Sequence, residues 1–427
     1  MIETGDTVFV KKGASEYKGI LMPSQTDSTV LKLVNGYNIG IHNPEKITLA
    51  SKTCTIESHT TKTKPKTTDR PTNPDLPTIS ILSTGGTIAS KVDYRTGAVT
   101  SQFTGDDIIN AIPRLSEIAN YNAKVIYSIL SENMKPSYWA ELARAVYEEI
   151  KNGATGIIIT HGTDTMVYTA SALSFMLDTP VPIVLVGSQR SADRPSSDNV
   201  MNALCAAKVA TSNIAEVTIV MHGTTSDDYC LINRGTKARK LHTSRRDAFE
   251  SVNTKPLGKV EYPSLEIKTD PETKSNPEPA YIKRGEKKLA INDSYEDMCA
   301  IVKYTPGASP DVLRYYTNAG YKGIVLEGTG LGHVGTDWIP AIKEATDAKI
   351  VVAITSQCIQ GRICDRVYDT GRDMIAAGVI EAEDMMPEVA LVKLMCLLGR
   401  GLSYEDVCTQ MTENLAGEIT HSSKGSV

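Results

Sequence analysis

The chain has 427 residues, of which 41% are hydrophobic and 22% charged, with a formal net charge of −5. That composition excludes a disordered, collagen-like or disulfide-scaffold protein, and the acidic balance excludes a polybasic nucleic-acid binder as a whole, although a local basic patch could still touch RNA. The length suggests two or three domains, and no apolar run reaches the roughly 18 residues that cross a bilayer. The start, 1-MIETGDTVFV-10, lacks a basic segment followed by an apolar stretch, so no signal peptide is expected and the default compartment is the cytoplasm. The eight cysteines are scattered, with no Cys-x-x-Cys, and the seven histidines include no His-x-His or His-x-x-x-His pair. Reduced thiols and no tightly bound metal are therefore expected.

Residues 1–50 read as short strands: 6-DTVFVKK-12, 18-KGILM-22, 28-STVLKLV-34, then the hairpin turn Asn35-Gly36 and 37-YNIGIH-42. This predicts a small all-β module of the SH3-like or Sm-like barrel kind, with too little core to stand alone. Residues 51–77 are Thr, Lys and Pro with few large apolar side chains, which predicts an extended linker. From residue 78 buried strands alternate with helices: 79-ISILS-83, 124-KVIYS-128, 156-GIIIT-160, 183-IVLVG-187 and 216-EVTIVM-221, with helices at 105–113, 137–152 and 165–177. In the second helix Tyr138, Leu142, Ala145, Val146 and Ile150 share a face, and Ser137 is the expected N-cap.

A charged, Pro-containing stretch over 254–295 interrupts this pattern before a second α/β run begins at 299-CAIVKYT-305 and ends with helices at 387–399 and 403–415. The expected architecture is α/β, with two domains of doubly wound, mostly parallel sheet behind the β module. The boundaries are 1–50 for the module, 51–77 for the linker, 78–275 for a large domain, 276–295 for a connection and 296–427 for a smaller C-terminal domain.

Polar clusters sit where the apolar strands end, the edge at which open α/β sheets bind ligands. In 83-STGGTIAS-90, Gly85 and Gly86 let backbone amides approach a ligand and Thr87 follows with a hydroxyl; a tight strand-to-helix turn is the plainer reading. In 160-THGTDT-165, Gly162 permits a sharp turn, and Thr163, Asp164 and Thr165 crowd a helix start more densely than capping requires. Ser131 and Glu132 follow the 124–128 strand and could grip an amino acid's charged groups. The segment 233-NRGTKARKLHTSRRDAFES-251 supplies cations, and spacing alone does not choose among Lys237, Arg239 and Lys240.

A threonine hydroxyl is a poor nucleophile until a base removes its proton. A Thr–Lys–Asp set meets that need: Lys takes the proton, Asp orients the Lys, and glycine-turn amides hold the oxyanion.

Two of these segments, 82-LSTGGTIAS-90 and 157-IIITHGTDTMVYTA-170, carry a close resemblance to the L-asparaginase/glutaminase family over residues 78–427. The resemblance implies an asparaginase-like fold and a two-step amidohydrolysis. Thr87 would be the primary nucleophile, Thr163 and Asp164 the second Thr-Asp pair, Lys240 the catalytic lysine and Tyr94 the tyrosine of the flexible loop. Ser131 would grip substrate with Glu132 beside it, and Gly86 and Gly162 would border it.

No metal and no organic cofactor is implied for this half-reaction. The additional 77 N-terminal residues give the chain the layout of the glutaminase subunits of archaeal tRNA-dependent amidotransferases. That layout implies glutamine as ammonia source, a GatE-like partner subunit using ATP and Mg²⁺, tRNA(Gln) met through the complex, and a homodimer within a heterotetramer. A free-standing asparaginase or glutaminase is the alternative. A non-catalytic relative is disfavoured, because Thr87, Thr163, Asp164 and Lys240 are all present.

Overall fold

A computed structural model of the chain describes residues 2, 4–13, 15–22, 24, 28–33, 38–51, 73–85, 90–92, 99–101, 105–191, 196–267 and 281–420. The N-terminal strands are β1 (Thr7–Lys12), β2 (Ser15–Met22), β3 (Ser28–Leu33), β4 (Asn38–His42) and β5 (Lys46–Ser51). They form an antiparallel sheet in the order β4-β3-β2-β1-β5. Val8, Val10, Leu31 and Ile41 make its small core, with Val8 and Val10 on one face as alternation requires. The all-β character matches the expectation, whereas barrel closure is not among the described pairings. The Asn35-Gly36 turn and most of the linker lie outside the described residues.

The larger body contains β6 (Thr78–Gly85), β7 (Ser90–Val92), β8 (Val99–Ser101), α1 (Gly105–Ala111), β9 (Asn120–Ile129), α2 (Pro136–Lys151), β10 (Gly156–Thr160), α3 (Met166–Met176), β11 (Leu177–Asp178), β12 (Ile183–Val186), α4 (Asn199–Ala210) and β13 (Val217–His222). It continues through β14 (Cys230–Arg234), β15 (Ala238–Lys240), β16 (Phe249–Ser251), β17 (Gly258–Glu261) and β18 (Ser264–Ile267). The main sheet runs β18-β17-β14-β13-β12-β10-β6-β9. Its β9, β6, β10, β12 and β13 are parallel, and β14, β17 and β18 extend one side antiparallel.

Because β9 follows β6 in the chain yet lies on its far side, the strand order reverses between β6 and β10. A crevice opens at the carboxyl ends of strands at such a switch point. Both threonine motifs leave the sheet there.

Each face of this sheet has its own core. Leu82, Ile157, Ile159, Leu185 and Ile219 point toward α2 and α3, while Ile81, Ile158, Val184 and Val220 point toward α1 and α4. Moving from β10 to β12 the chain crosses over the first face, and from β12 to β13, in the same direction, over the second. The β12–α4–β13 crossover therefore has the opposite hand to its predecessor, a rare connection in parallel sheets.

Helix α2 opens on Pro136 with Lys135 at the cap position and no side-chain cap, so Ser137 is not the N-cap. Proline at the first helical position has no N–H to satisfy and a preset φ. Leu142, Val146 and Ile150 are buried as the periodicity predicts, joined by Trp139 and Ala143, while Tyr138 and Ala145 are only half-buried.

The second sheet is parallel, ordered β20-β21-β22-β23 from β20 (Cys299–Lys303), β21 (Gly323–Gly328), β22 (Val351–Ser356) and β23 (Ile380–Glu381); β19 (Ala290–Ile291) pairs back onto β11. Helices α5 (Asp311–Asn318), α6 (Ile339–Asp347) and α7 (Asp369–Ala376) cover one face, and α8 (Pro387–Gly399) and α9 (Tyr404–Met411) the other. Helix α8 belongs to two cores. Val389, Val392 and Cys396 pack with α3 of the large sheet, and Ala390, Leu394 and Leu397 pack on β21 and β22. Among the described residues no helix is long and apolar enough to cross a membrane.

The polar anchor of α8 is Lys393. Its Nζ pairs with Glu418 at 2.6 Å, with both side chains fully buried, and also donates to the carbonyls of Met411 and Glu413. Glu418 accepts from the backbone N–H groups of Leu415 and Ala416, so this one lysine folds the C-terminal tail back across α8. Lys393→Met leaves Glu418 buried without its counter-charge. It is expected to destabilise the fold by about 3–5 kcal/mol, read as a lowered urea midpoint with an unchanged slope.

Candidate active site

The described part of the site is assembled from five chain segments at the switch point. Strand β10 ends in Thr160, and His161 to Thr165 then turn into α3. Thr163 is buried, at 7% exposure, and the Asp164 side chain is 65% exposed. Lys240, the last residue of β15, reaches across to both: its Nζ donates to Thr163 Oγ1 at 2.9 Å and to Asp164 Oδ1 at 2.7 Å. The ammonium thus connects a hydroxyl inside the protein with a carboxylate facing solvent. Among the three cations that spacing left open, only Lys240 makes these contacts. Lys237 instead pairs with Asp384 at 2.8 Å, and Arg239 lies 3.3 Å from Glu388.

Ser131 closes the site from the β9 side. It is buried in a 3-10 turn, and Thr165 Oγ1 donates to its carbonyl at 2.8 Å. A Cβ at position 162 would sit 2.6 Å from Ser131 Cβ and 2.8 Å from Ser131 Oγ, so glycine is what lets the serine lie against the Thr163 turn. Gly187, after β12, plays the same part on the other flank, where a Cβ would meet Thr163 Cγ2 at 2.9 Å and the His161 carbonyl at 2.8 Å. Glu132 is exposed on the same turn as Ser131. From the first motif, Thr84 donates its hydroxyl to the Thr160 carbonyl at 2.8 Å, and Gly85, at φ 107°, turns the chain out of β6. Gly86, Thr87 and Tyr94 lie outside the described residues.

Two supports of the site lie outside the residues that the sequence singles out. His161 is fully buried; its Nδ1 lies 2.7 Å from the Gly162 carbonyl and its Nε2 2.8 Å from Thr169 Oγ1. Burial pulls its pKa down to about 4, so the ring is neutral. It donates to Gly162 and accepts from Thr169, tying the turn to α3.

Asp198, also fully buried, accepts from Ser188 Oγ at 2.7 Å, from the backbone N–H groups of Gln189 and Arg190, and from Asn202 Nδ2. It therefore shapes the loop after β12 that places Gly187. The available signal for that loop was the same as for the other clusters: Gly187, Ser188 and Gln189 follow directly on a buried apolar strand.

The arrangement can move a proton between a buried threonine and solvent through one lysine, beside a serine able to bind a polar substrate. Among the described residues no cluster of His, Cys, Asp or Glu is grouped to hold a metal ion.

The chain has clear relatives among known proteins. Residues 78–273 match the asparaginase N-terminal domain, residues 299–411 the glutaminase/asparaginase C-terminal domain, and residues 2–49 the GatD N-terminal domain. The chain is 58% identical over 423 residues to the GatD subunit of the glutamyl-tRNA(Gln) amidotransferase of Methanosarcina mazei, covering 97% of each chain. It is 53% identical to the corresponding subunit of Archaeoglobus fulgidus, covering 97% of this chain and 95% of the relative. Among solved structures, the thermostable L-asparaginase from Thermococcus kodakarensis superposes with a TM-score of 0.71 at 32% identity, covering 81% of this chain and 100% of that one. L-asparaginase I from Vibrio cholerae gives 0.69 at 28% identity, covering 81% of this chain and 99% of that one.

Below pH 6.5 the unfolded chain protonates the His161 imidazole, whereas the folded protein refuses that proton down to about pH 4. Stability is therefore lost as pH falls through that window, by at most roughly 1.4 kcal/mol per pH unit from this group. Urea midpoints measured between pH 7 and pH 5 should fall, and His161→Gln should flatten the decline. Gly162→Ala must displace Ser131, and KM for an amino-acid amide is expected to rise about ten-fold, the equivalent of one hydrogen bond to a charged group.

Proposed function

The chain belongs to the asparaginase/glutaminase family, in the branch of the GatD subunits of glutamyl-tRNA(Gln) amidotransferases, and we infer how its residues divide the work of that subunit. It is the glutaminase component of a tRNA-dependent amidotransferase complex, an amidohydrolase that releases ammonia for the conversion of Glu-tRNA(Gln) to Gln-tRNA(Gln). The observation that carries the residue-level reading is the Lys240 ammonium held between Thr163 and Asp164 at the sheet's switch point.

In this reading Thr87 is the nucleophile. Its oxygen attacks the side-chain amide carbon of glutamine, the C–N bond breaks, and ammonia leaves with a proton. An acyl ester on Thr87 remains, and water hydrolyses it to glutamate. Thr163, Lys240 and Asp164 form the proton relay: Lys240 enters the step as the free amine and takes a proton from Thr163, which takes the one Thr87 gives up on attack; the ammonium so formed, oriented and charge-balanced by Asp164, returns the proton by the same route to the leaving nitrogen. Backbone amides around Gly86 hold the developing oxyanion. Ser131, with Glu132 beside it, grips the amino acid's charged groups, Gly162 gives them room, and Tyr94 is the candidate for the family's loop tyrosine.

The half-reaction needs no metal or cofactor in this chain. ATP and Mg²⁺ belong to a GatE-like partner that activates the glutamyl group on tRNA(Gln), and two copies of this chain pair within a cytoplasmic heterotetramer. The full-length match, including the N-terminal module that the asparaginase-like region does not need, supports the subunit over a free-standing enzyme.

The test is ammonia release from glutamine and asparagine by purified protein, alone and with partner and mischarged tRNA. Thr87→Ala is expected to abolish turnover, and Lys240→Ala to lower kcat roughly 10²–10⁴-fold, both with unchanged circular dichroism. Near-normal turnover in either variant would overturn the assignment. Fast asparagine hydrolysis by the chain alone, insensitive to partner and to deletion of residues 1–77, would favour the free-standing enzyme.

A further inference from the structure

Strand β15 has two working faces. Side chains alternate along a strand, so Ala238 and Lys240 point one way and Lys237 and Arg239 the other. Ala238 is fully buried in the core that contains α3, and Lys240 reaches the Thr163–Asp164 pair just before that helix. On the opposite face both cations meet carboxylates of the C-terminal domain. Lys237, 1% exposed, pairs with the fully buried Asp384, and Arg239 pairs with the mostly buried Glu388 in the first turn of α8.

Asp384 is further fixed by Thr420, whose backbone N–H donates at 2.9 Å and whose hydroxyl also donates. The partner strand is held by the same segment, since Asn253, just past β16, donates to the carbonyls of Gly361 and Asp384 and accepts from the Gly361 N–H. Thr236, just ahead of β15, donates to the Ala416 carbonyl at 3.0 Å. Glycine at 235 and a three-residue ladder to β16 give the hairpin little stiffness of its own.

We propose that Lys237 and Asp384 are positioning residues for the amidohydrolase reaction: their buried ion pair, seconded by Arg239 and Glu388, lets the C-terminal domain set where β15 delivers the Lys240 ammonium. This rests on the reading of Lys240 as the proton-relay lysine. The physical reason is the order of burial. The Lys237–Asp384 pair lies in the protein interior, where removing one partner leaves an uncompensated charge, so its geometry is rigid. The Lys240–Asp164 pair is half in solvent and screened, and cannot fix a strand by itself.

The test compares kcat and KM for glutamine in the full chain bearing Lys237→Met with Asp384→Asn, a pair of changes that leaves no buried unpaired charge. A displaced relay lysine lowers kcat roughly 10- to 100-fold while KM stays within about two-fold, because substrate is gripped from the Ser131 side. Thermal unfolding and near-ultraviolet circular dichroism establish that the variant is folded. Arg239→Met with Glu388→Gln, which removes the more exposed of the two pairs without leaving a buried unpaired charge, should lower kcat in the same direction by less and keeps the proposal testable if the first double variant fails to fold.

A folded double variant with normal kcat, or one that loses only KM, overturns the proposal. Where Lys240→Ala is inactive in the same assay, that outcome leaves the reading of the site intact. If Lys240→Ala is active, the reading of the site falls and the positioning role falls with it.

Discussion

The contact on which the rest depends is the Lys240 ammonium reaching a buried hydroxyl and an exposed carboxylate at once, 2.9 Å and 2.7 Å away. It constrains the protein from several directions. The turn after β10 must present Thr163 inward and Asp164 outward within one residue, which Gly162 and the neutral His161 arrange. A strand outside the main sheet must bring a long cation to the carboxyl edge, which requires the short β15–β16 pair. The helix after the turn must be packed from behind, and α3 meets α8 of the other domain along Val389, Val392 and Cys396.

The sheet's topology explains why the two threonine motifs converge although about 75 residues separate them in the chain. They end neighbouring strands, with Thr160 in register with Ser83. The strand order reverses between these strands, so no crossover helix fills the gap above their carboxyl ends. The opposite-handed β12–α4–β13 connection puts α4 on the face away from α3. The α3 face is thereby left free for α8 to cover. A connection of the usual hand would place α4 on the α3 side of β12 and β13, in competition with that packing.

Features with a local period or a long motif were legible in the sequence. The buried β-branched run 156-GIIIT-160, the α2 stripe through Leu142, Val146 and Ile150, and the α8 span 387–399 all follow from side-chain spacing. The hydroxyl–carboxylate cluster was legible because it exceeds what helix capping needs. Other features depend on partners distant in the chain. Nothing near Lys237 announces Asp384, 147 residues away, so composition alone could not separate three neighbouring cations. Ser137 looked like a cap because Ser is a good one, yet Pro136 preset the first turn and displaced the role to Lys135. His161 gave no local sign of its task, because that task is to bond one residue ahead and eight residues along a helix already marked by its apolar run.

Three lysines in this protein show how burial sorts a cation's use. Lys393 is fully enclosed, and Glu418 with two carbonyls takes up its donors. Any change in its protonation strands a carboxylate in the interior, so it can only be structural. Lys237 is almost as enclosed, with Asp384 as its carboxylate, and serves to fix geometry. Lys240 differs in one respect: its carboxylate partner, Asp164, keeps about two-thirds of its side-chain surface. The Lys240–Asp164 pair is therefore one that water can reach, whereas burial pulls the pKa values of Lys237 and Lys393 down and their charge rests on the buried carboxylates Asp384 and Glu418. The lysine that the proposed relay uses is the one the fold leaves at the boundary, while Lys237 and Arg239 on the other face of its strand are paired with carboxylates of the C-terminal domain. A strand with Lys240 on one face and Lys237 and Arg239 on the other is a compact way to meet both demands, since the two-residue alternation of a strand separates the tasks by a single peptide unit.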